Sequence, residues 1–152
     1  EGRRNKLKKI AISMRNRVFM ESISLVLKQT DEFRPVCIPS SEPDVITETC
    51  LSELPEIIFM DVVPALPETG IEARLGVIRR LREKIPGCKS VLLCDETAYP
   101  ELAGEVMRAR QSRRIDAFFY ASVTTGYPVT SLRYVNLHGF RTGIEHHNRI
   151  QP

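Results

Sequence analysis

Four consecutive apolar residues, Ile57-Ile58-Phe59-Met60, end on a carboxylate, Asp61. A strand that is apolar at every position offers no face to water, so it belongs in a sheet covered on both sides, as in parallel α/β folds. A charge at the carboxyl end of such a strand lies where open α/β sheets receive ligands. The rest of the chain follows suit: short apolar runs alternate with longer amphipathic ones, the pattern of βα units wound into a doubly wound parallel sheet.

Five such units can be counted. Residues 9–13 form a first strand, and Val18, Phe19, Ile23, Val26 and Leu27 then recur at helical spacing up to Gln29. A second strand covers 34–38, and a second helix starts near Ser41 with Pro43 in its first turn and ends at Leu54-Pro55. The central strand covers 56–61, and a loop with Pro64 and Pro67 leads to Thr69-Gly70-Ile71-Glu72, which has the spacing of a capping box. Ile71, Leu75, Ile78, Leu81 and Ile85 mark the apolar face of the third helix, and Pro86-Gly87 stops it. Residues 90–94 form a fourth strand, Pro100 opens a helix running to Gln111, and 115–120 form a fifth strand. A last helix is predicted from Pro128, and residues 139–152 lack periodicity and read as a tail or linker.

At 152 residues the chain fits one domain, set at 8–138. No apolar run approaches the roughly 18 to 20 residues that cross a membrane, and the charged start, Glu1 to Lys9, is not followed by a signal-type apolar stretch. The expectation is a cytoplasmic protein with no membrane contact. Cys37, Cys50, Cys88 and Cys94 show no metal-ligand spacing and read as reduced, structural thiols. Net charge is +3, concentrated in Arg3 to Lys9 and in Arg108 to Arg114, which read as solvated faces or tails. Neither cluster has interleaved aromatics or a helix-turn-helix pattern, so DNA contact is expected only through a domain outside this sequence.

The segment PEIIFMD at 55–61, the proline loop and the GIEA of 70–73 resemble the response-regulator receiver domain of two-component signalling. RLREKIPGCKSVLLC at 80–94 resembles that family's third helix and fourth strand, and DAFFYASV at 116–123 its fifth strand. The resemblance implies a flavodoxin-like (βα)5 fold with a five-stranded sheet, and it puts Asp61 at the position of the phospho-acceptor. It also implies Pro64 and Gly70 as the proline and glycine that follow, and Phe118 as the aromatic switch position. Family members hold a magnesium ion with two acidic residues after the first strand, and Met14 and Arg15 stand there instead. Cys94 replaces the hydroxyl residue of the fourth strand, and Ala121 replaces the lysine of the fifth.

Magnesium neutralises charge when a phosphoryl group meets a carboxylate, and it requires hard oxygen ligands. A thioether and a guanidinium are not such ligands, so the pocket reads as degenerate, with no cofactor and weak or absent phosphorylation at Asp61. Arg15 is expected to turn its guanidinium into the pocket and pair with Asp61. The expected function is regulatory and not enzymatic: protein contact through the face of the fourth helix, fifth strand and fifth helix, with a homodimer and a sensor kinase as partners. An output domain that binds DNA is expected beyond Pro152. One alternative is a conventional phospho-accepting receiver of a phosphorelay. Another is a small flavodoxin-like enzyme using Asp61 and Cys94, although His138, His146 and His147 are remote from Cys94 in sequence and Ser13 to Arg17 lacks a phosphate-cradling glycine.

Overall fold

The computed structural model describes residues 7–121. Within them the order is β1 (Lys8–Ser13), α1 (Arg17–Lys28), β2 (Phe33–Cys37), α2 (Pro43–Glu53), β3 (Ile57–Asp61), a 3-10 turn (Pro67–Thr69), α3 (Ile71–Lys84), β4 (Lys89–Cys94), α4 (Pro100–Gln111) and β5 (Ala117–Tyr120). The strands form one parallel sheet in the order β2-β1-β3-β4-β5. This is a flavodoxin-like doubly wound sheet, as the alternation of runs predicts. The predicted last helix, the tail, and His138, His146 and His147 lie outside the described residues.

Alternation along each strand divides the core in two. Ile58, Met60, Leu92, Cys94 and Phe118 face a cluster shared with Ile46 and Cys50 of α2, Leu75, Ile78 and Leu81 of α3, and Val106 of α4. Ile10, Ile12, Ile57, Phe59, Val91 and Phe119 face the other way, against Met20, Ile23 and Leu27 of α1. β3 is buried at all five positions because it lies in mid-sheet between both layers. Phe59 and Phe119 meet edge to face, with centroids 6.1 Å apart.

Local chemistry sets the boundaries. Asn16 caps α1, its side chain accepting the Phe19 N–H at 2.9 Å. Pro43 and Pro100 each open a helix, where the missing N–H costs nothing. Leu54 closes α2 in the left-handed conformation, φ 53°, and its N–H reaches the Cys50 carbonyl at 2.8 Å.

Three expectations are corrected. The capping box does not form: the N-cap of α3 is Gly70, and the Thr69 hydroxyl donates instead to the carbonyls of Val63 at 2.6 Å and Leu66 at 3.1 Å. The loop after β3 is thereby tied to itself. Ile115 and Asp116 precede β5, since the Asp116 carboxylate turns back to accept the Ser90 N–H at 2.8 Å and its hydroxyl at 3.1 Å. Cys37 is exposed at the end of the edge strand β2, whereas the other three thiols are buried.

β2 contains Pro35. The Lys8 N–H donates to Glu32 and the Ile38 N–H to Ile12, so the even-numbered residues of this strand turn their backbone groups towards β1. Pro35, an odd position, lacks its N–H on the side turned away from β1, which no other described strand pairs.

Candidate functional site

Parallel order β2-β1-β3 means that the chain leaves β1 in one direction and returns on its other side, which opens a crevice at the carboxyl ends of β1 and β3. In register, Ser13 pairs with Met60, so Asp61 stands one step further out, next to the residues that follow β1. Asp61 is buried, its side chain 12% exposed, and both its carboxylate oxygens are engaged.

The partner is not the expected one. Arg74, in the second turn of α3, has no exposed surface, and its Nη2 donates to Asp61 Oδ1 at 3.0 Å. The same guanidinium donates through Nε to the Asp61 carbonyl at 2.8 Å, reaches the Ser13 carbonyl through Nη2 at 3.4 Å and touches Met60 Sδ through Nη1 at 3.6 Å. Helical side chains lean towards their helix N-terminus, and the start of α3 lies beside the end of β3, so a residue one turn in reaches the strand tip. Burial pushes the Arg74 pKa below its ordinary value; the Asp61 carboxylate opposes this by charge and then by its hydrogen bond, with Glu68 adding to the opposition. The guanidinium remains a cation, as arginine does in proteins.

Arg15 is corrected accordingly. Its side chain is exposed, and its contact with the site is through the backbone, whose N–H donates to Asp61 Oδ2 at 2.9 Å. Met14 is buried in the α1-side cluster with Ile12 and Phe59. The structure thus brings Arg15 and Asp61 together by main chain, leaves Met14 in the core, and adds Arg74, which sequence reasoning missed. A signal existed: Arg74 falls at i+3 from Ile71 and i−4 from Ile78, on the apolar stripe of α3, where a charge needs a buried partner.

Cys94 ends β4 in register with Tyr120, and burial pushes its thiol up to about 12, with Asp95 and Glu96 adding to the shift. A thiol so protonated is a poor nucleophile at neutral pH. Phe118 is 3% exposed and lies 5.4 Å from Tyr120, centroid to centroid, in the cluster beneath α4. Ala121 is partly buried against the opposite cluster. Neither Phe118 nor Cys94 touches Asp61 through a hydrogen bond, and the position expected to hold a lysine presents only a methyl group.

The set does not fit magnesium. The oxygens of the Asp61 carboxylate already accept two donors, and a buried cation lies against it. Among the described residues no group of three or more His, Cys, Asp or Glu side chains is placed to hold a metal. Octahedral oxygen coordination would require displacing Arg74 and recruiting ligands from elsewhere.

No protein-family model matches the chain, and no curated protein matches it. Solved structures do. A LuxR-family DNA-binding response regulator from Staphylococcus aureus aligns over 86% of this chain and 99% of its own, with TM-score 0.67 and 16% identity. The Vibrio cholerae chemotaxis protein CheY4 aligns over 86% and 99%, with TM-score 0.64 and 14% identity. The response regulator RcsB in its complex with DNA aligns over 86% of this chain and 61% of its own, with TM-score 0.62 and 13% identity. The described domain therefore has the fold of the response-regulator receiver domain, the fold that the sequence resemblance implies.

Proposed function

We propose that the chain is a regulatory receiver module of the two-component type that works through protein contact, with the acceptor position Asp61 held by Arg74 in place of magnesium and a phosphoryl group. The observation that carries this reading is the buried Arg74–Asp61 pair at 3.0 Å. A phosphoryl group arriving at Asp61 would have to break that pair and the Arg15 N–H bond, without a metal to offset its charge. The module is read as non-enzymatic, and the raised Cys94 thiol supports this against the enzyme alternative.

Its contacts are assigned to the face of α4, β5 and the helix expected to follow, with a second copy or a sensor kinase as partner. The LuxR-family and RcsB–DNA neighbours support a DNA-binding output domain in the full-length protein, and a cytoplasmic setting goes with that role. No helix among the described residues is long and apolar enough to cross a membrane.

Incubation with acetyl phosphate and millimolar magnesium, followed by intact mass, tests the reading. The expected result is no phosphoryl adduct on the wild type. A stoichiometric adduct that disappears in Asp61→Asn would establish a conventional phospho-acceptor and overturn the proposal.

A further inference from the structure

At the end of the domain opposite Asp61, the last turn of α4 carries Arg108 and Arg110 and the loop after it carries Arg113 and Arg114, with no carboxylate among them. Arg108, Arg113 and Arg114 are exposed, as the reading of a solvated face expects, and the loop is held by its own backbone. The Ser112 N–H donates to the Arg108 carbonyl at 2.9 Å and the Arg114 N–H to the Ala109 carbonyl at 2.8 Å. Arg113 sits in the left-handed region, φ 66°, an uncommon conformation for a residue with a side chain. Its carbonyl accepts Arg82 Nη1 at 2.6 Å, and Arg82 is itself anchored on Asp116 at 3.2 Å.

The loop borders a groove. α3 packs closely on α2 but only loosely on α4, and a hollow of about 350 Å³ between α3 and α4 adjoins one of about 270 Å³ between α3 and the loop after α4, the two meeting at Leu75 and Arg114. The floor is apolar, formed by Ile71, Leu75 and Ala109, and cations stand along its length: Arg108 and Arg114 at one hollow, Arg79, Arg82 and Arg114 at the other. Arg114 is paired to Glu72 at 3.8 Å and Arg82 is held on Asp116, which leaves Arg79 and Arg108 as the exposed arginines for a ligand to meet.

We infer that this groove docks a short acidic segment of a partner protein, one apolar side chain filling the hollow over Leu75 and flanking carboxylates meeting Arg79 and Arg108. Guanidinium forks match carboxylates in two-bond geometry, and a loop already fixed by backbone hydrogen bonds loses little freedom on binding. The floor and rim decide against nucleic acid. A phosphate backbone gains nothing from an apolar floor, and no aromatic residue lines the hollows for base stacking. Glu72, Glu83 and Glu105 on the rim would repel a continuous polyanion, while a peptide can place its few charges between them. The inference goes beyond the proposed function and does not depend on the state of Asp61.

Selection of random displayed peptides on the full chain tests it, run in parallel on a variant carrying Arg79→Glu and Arg108→Glu, both exposed positions. Peptides enriched on the wild type should carry Asp or Glu around a Leu or Ile, shift the amide resonances of Leu75 and Ala109, and bind the variant at least about tenfold more weakly. Retention of a wild-type thermal transition by the variant shows that the fold is intact; if it is lost, Arg108→Gln alone is used and should weaken the same peptides. Enriched peptides that are basic or neutral, that map elsewhere or that bind the variant equally, would overturn the inference. So would failure to enrich any peptide, or a short DNA duplex that binds more tightly and shifts the same amides.

Discussion

Arg74 keeps its charge in the protein interior because each of its three nitrogens finds an acceptor: Nε the carbonyl of Asp61, Nη2 the carboxylate of Asp61 and the carbonyl of Ser13, and Nη1 the thioether sulfur of Met60. Removing one member of such a pair leaves the other charged and desolvated, which costs more than the pair itself contributes. Arg74→Met and Asp61→Asn are each expected to lower stability by about 3 kcal/mol, a large fraction of the roughly 5 to 15 kcal/mol of a typical domain. The double variant should lose less than the sum, by at least about 1 kcal/mol in a urea-denaturation cycle. Arg74→Lys should not rescue, because Nε and Nη2 act from one rigid fork that an ammonium lacks.

The thiols give the domain an alkaline limit. Burial pushes Cys50 up to about 11 and Cys88 and Cys94 up to about 12, from an ordinary value of 9.0. Below that value folded and unfolded chains hold the same protons, and the full stability is present. Above it the unfolded chain releases protons that the folded chain retains, so stability falls as pH rises towards the folded values, by roughly 1.4 kcal/mol per pH unit for each thiol. The urea midpoint should therefore drop as the pH rises above about 9 towards about 11, and Cys88→Ala should flatten that drop. In the native state a thiol-specific chromogenic disulfide should modify Cys37 alone, the other three reacting only on unfolding.

The helix ends show how much of each element rests on a few side chains. Asn16 is the one residue whose side chain caps a helix N-terminus among the four α-helices described. Asn16→Ala should cost about 1 kcal/mol in thermal or urea unfolding. Glu72→Ala should cost close to nothing, since the expected reciprocal cap with Thr69 is not made. Strands and helices were legible because apolar runs and 3.6-residue spacing report burial directly, and Pro43 and Pro100 mark helix starts by a local rule. The site was legible only in part. Asp61 is placed by its own strand, but its partner is set by how α3 lies on β3, a tertiary relation that spacing does not carry. Arg15 looked nearer in sequence logic because it follows a neighbouring strand; its backbone made the contact and its side chain turned outward. Arg74 was hidden in a helix that also carries Arg79, Arg80 and Arg82, three arginines that keep some contact with solvent.

At the scale of the whole sheet, the order β2-β1-β3-β4-β5 puts β2 at one margin among the described residues. A margin of free backbone donors invites another strand, and β2 would invite one strongly, with Phe33, Val36 and Cys37 in five residues. Pro35 withholds the central donor on the outward side, so an incoming strand meets a gap where its carbonyl needs a partner. Pro35→Val should restore an uninterrupted margin, and incubation at high concentration should then give faster growth of a thioflavin signal than the wild type shows. On that outcome a single imino acid would set how crowded the protein can become before its copies begin to template one another, a gatekeeper against fibre formation at a margin remote from the crevice where Arg74 meets Asp61.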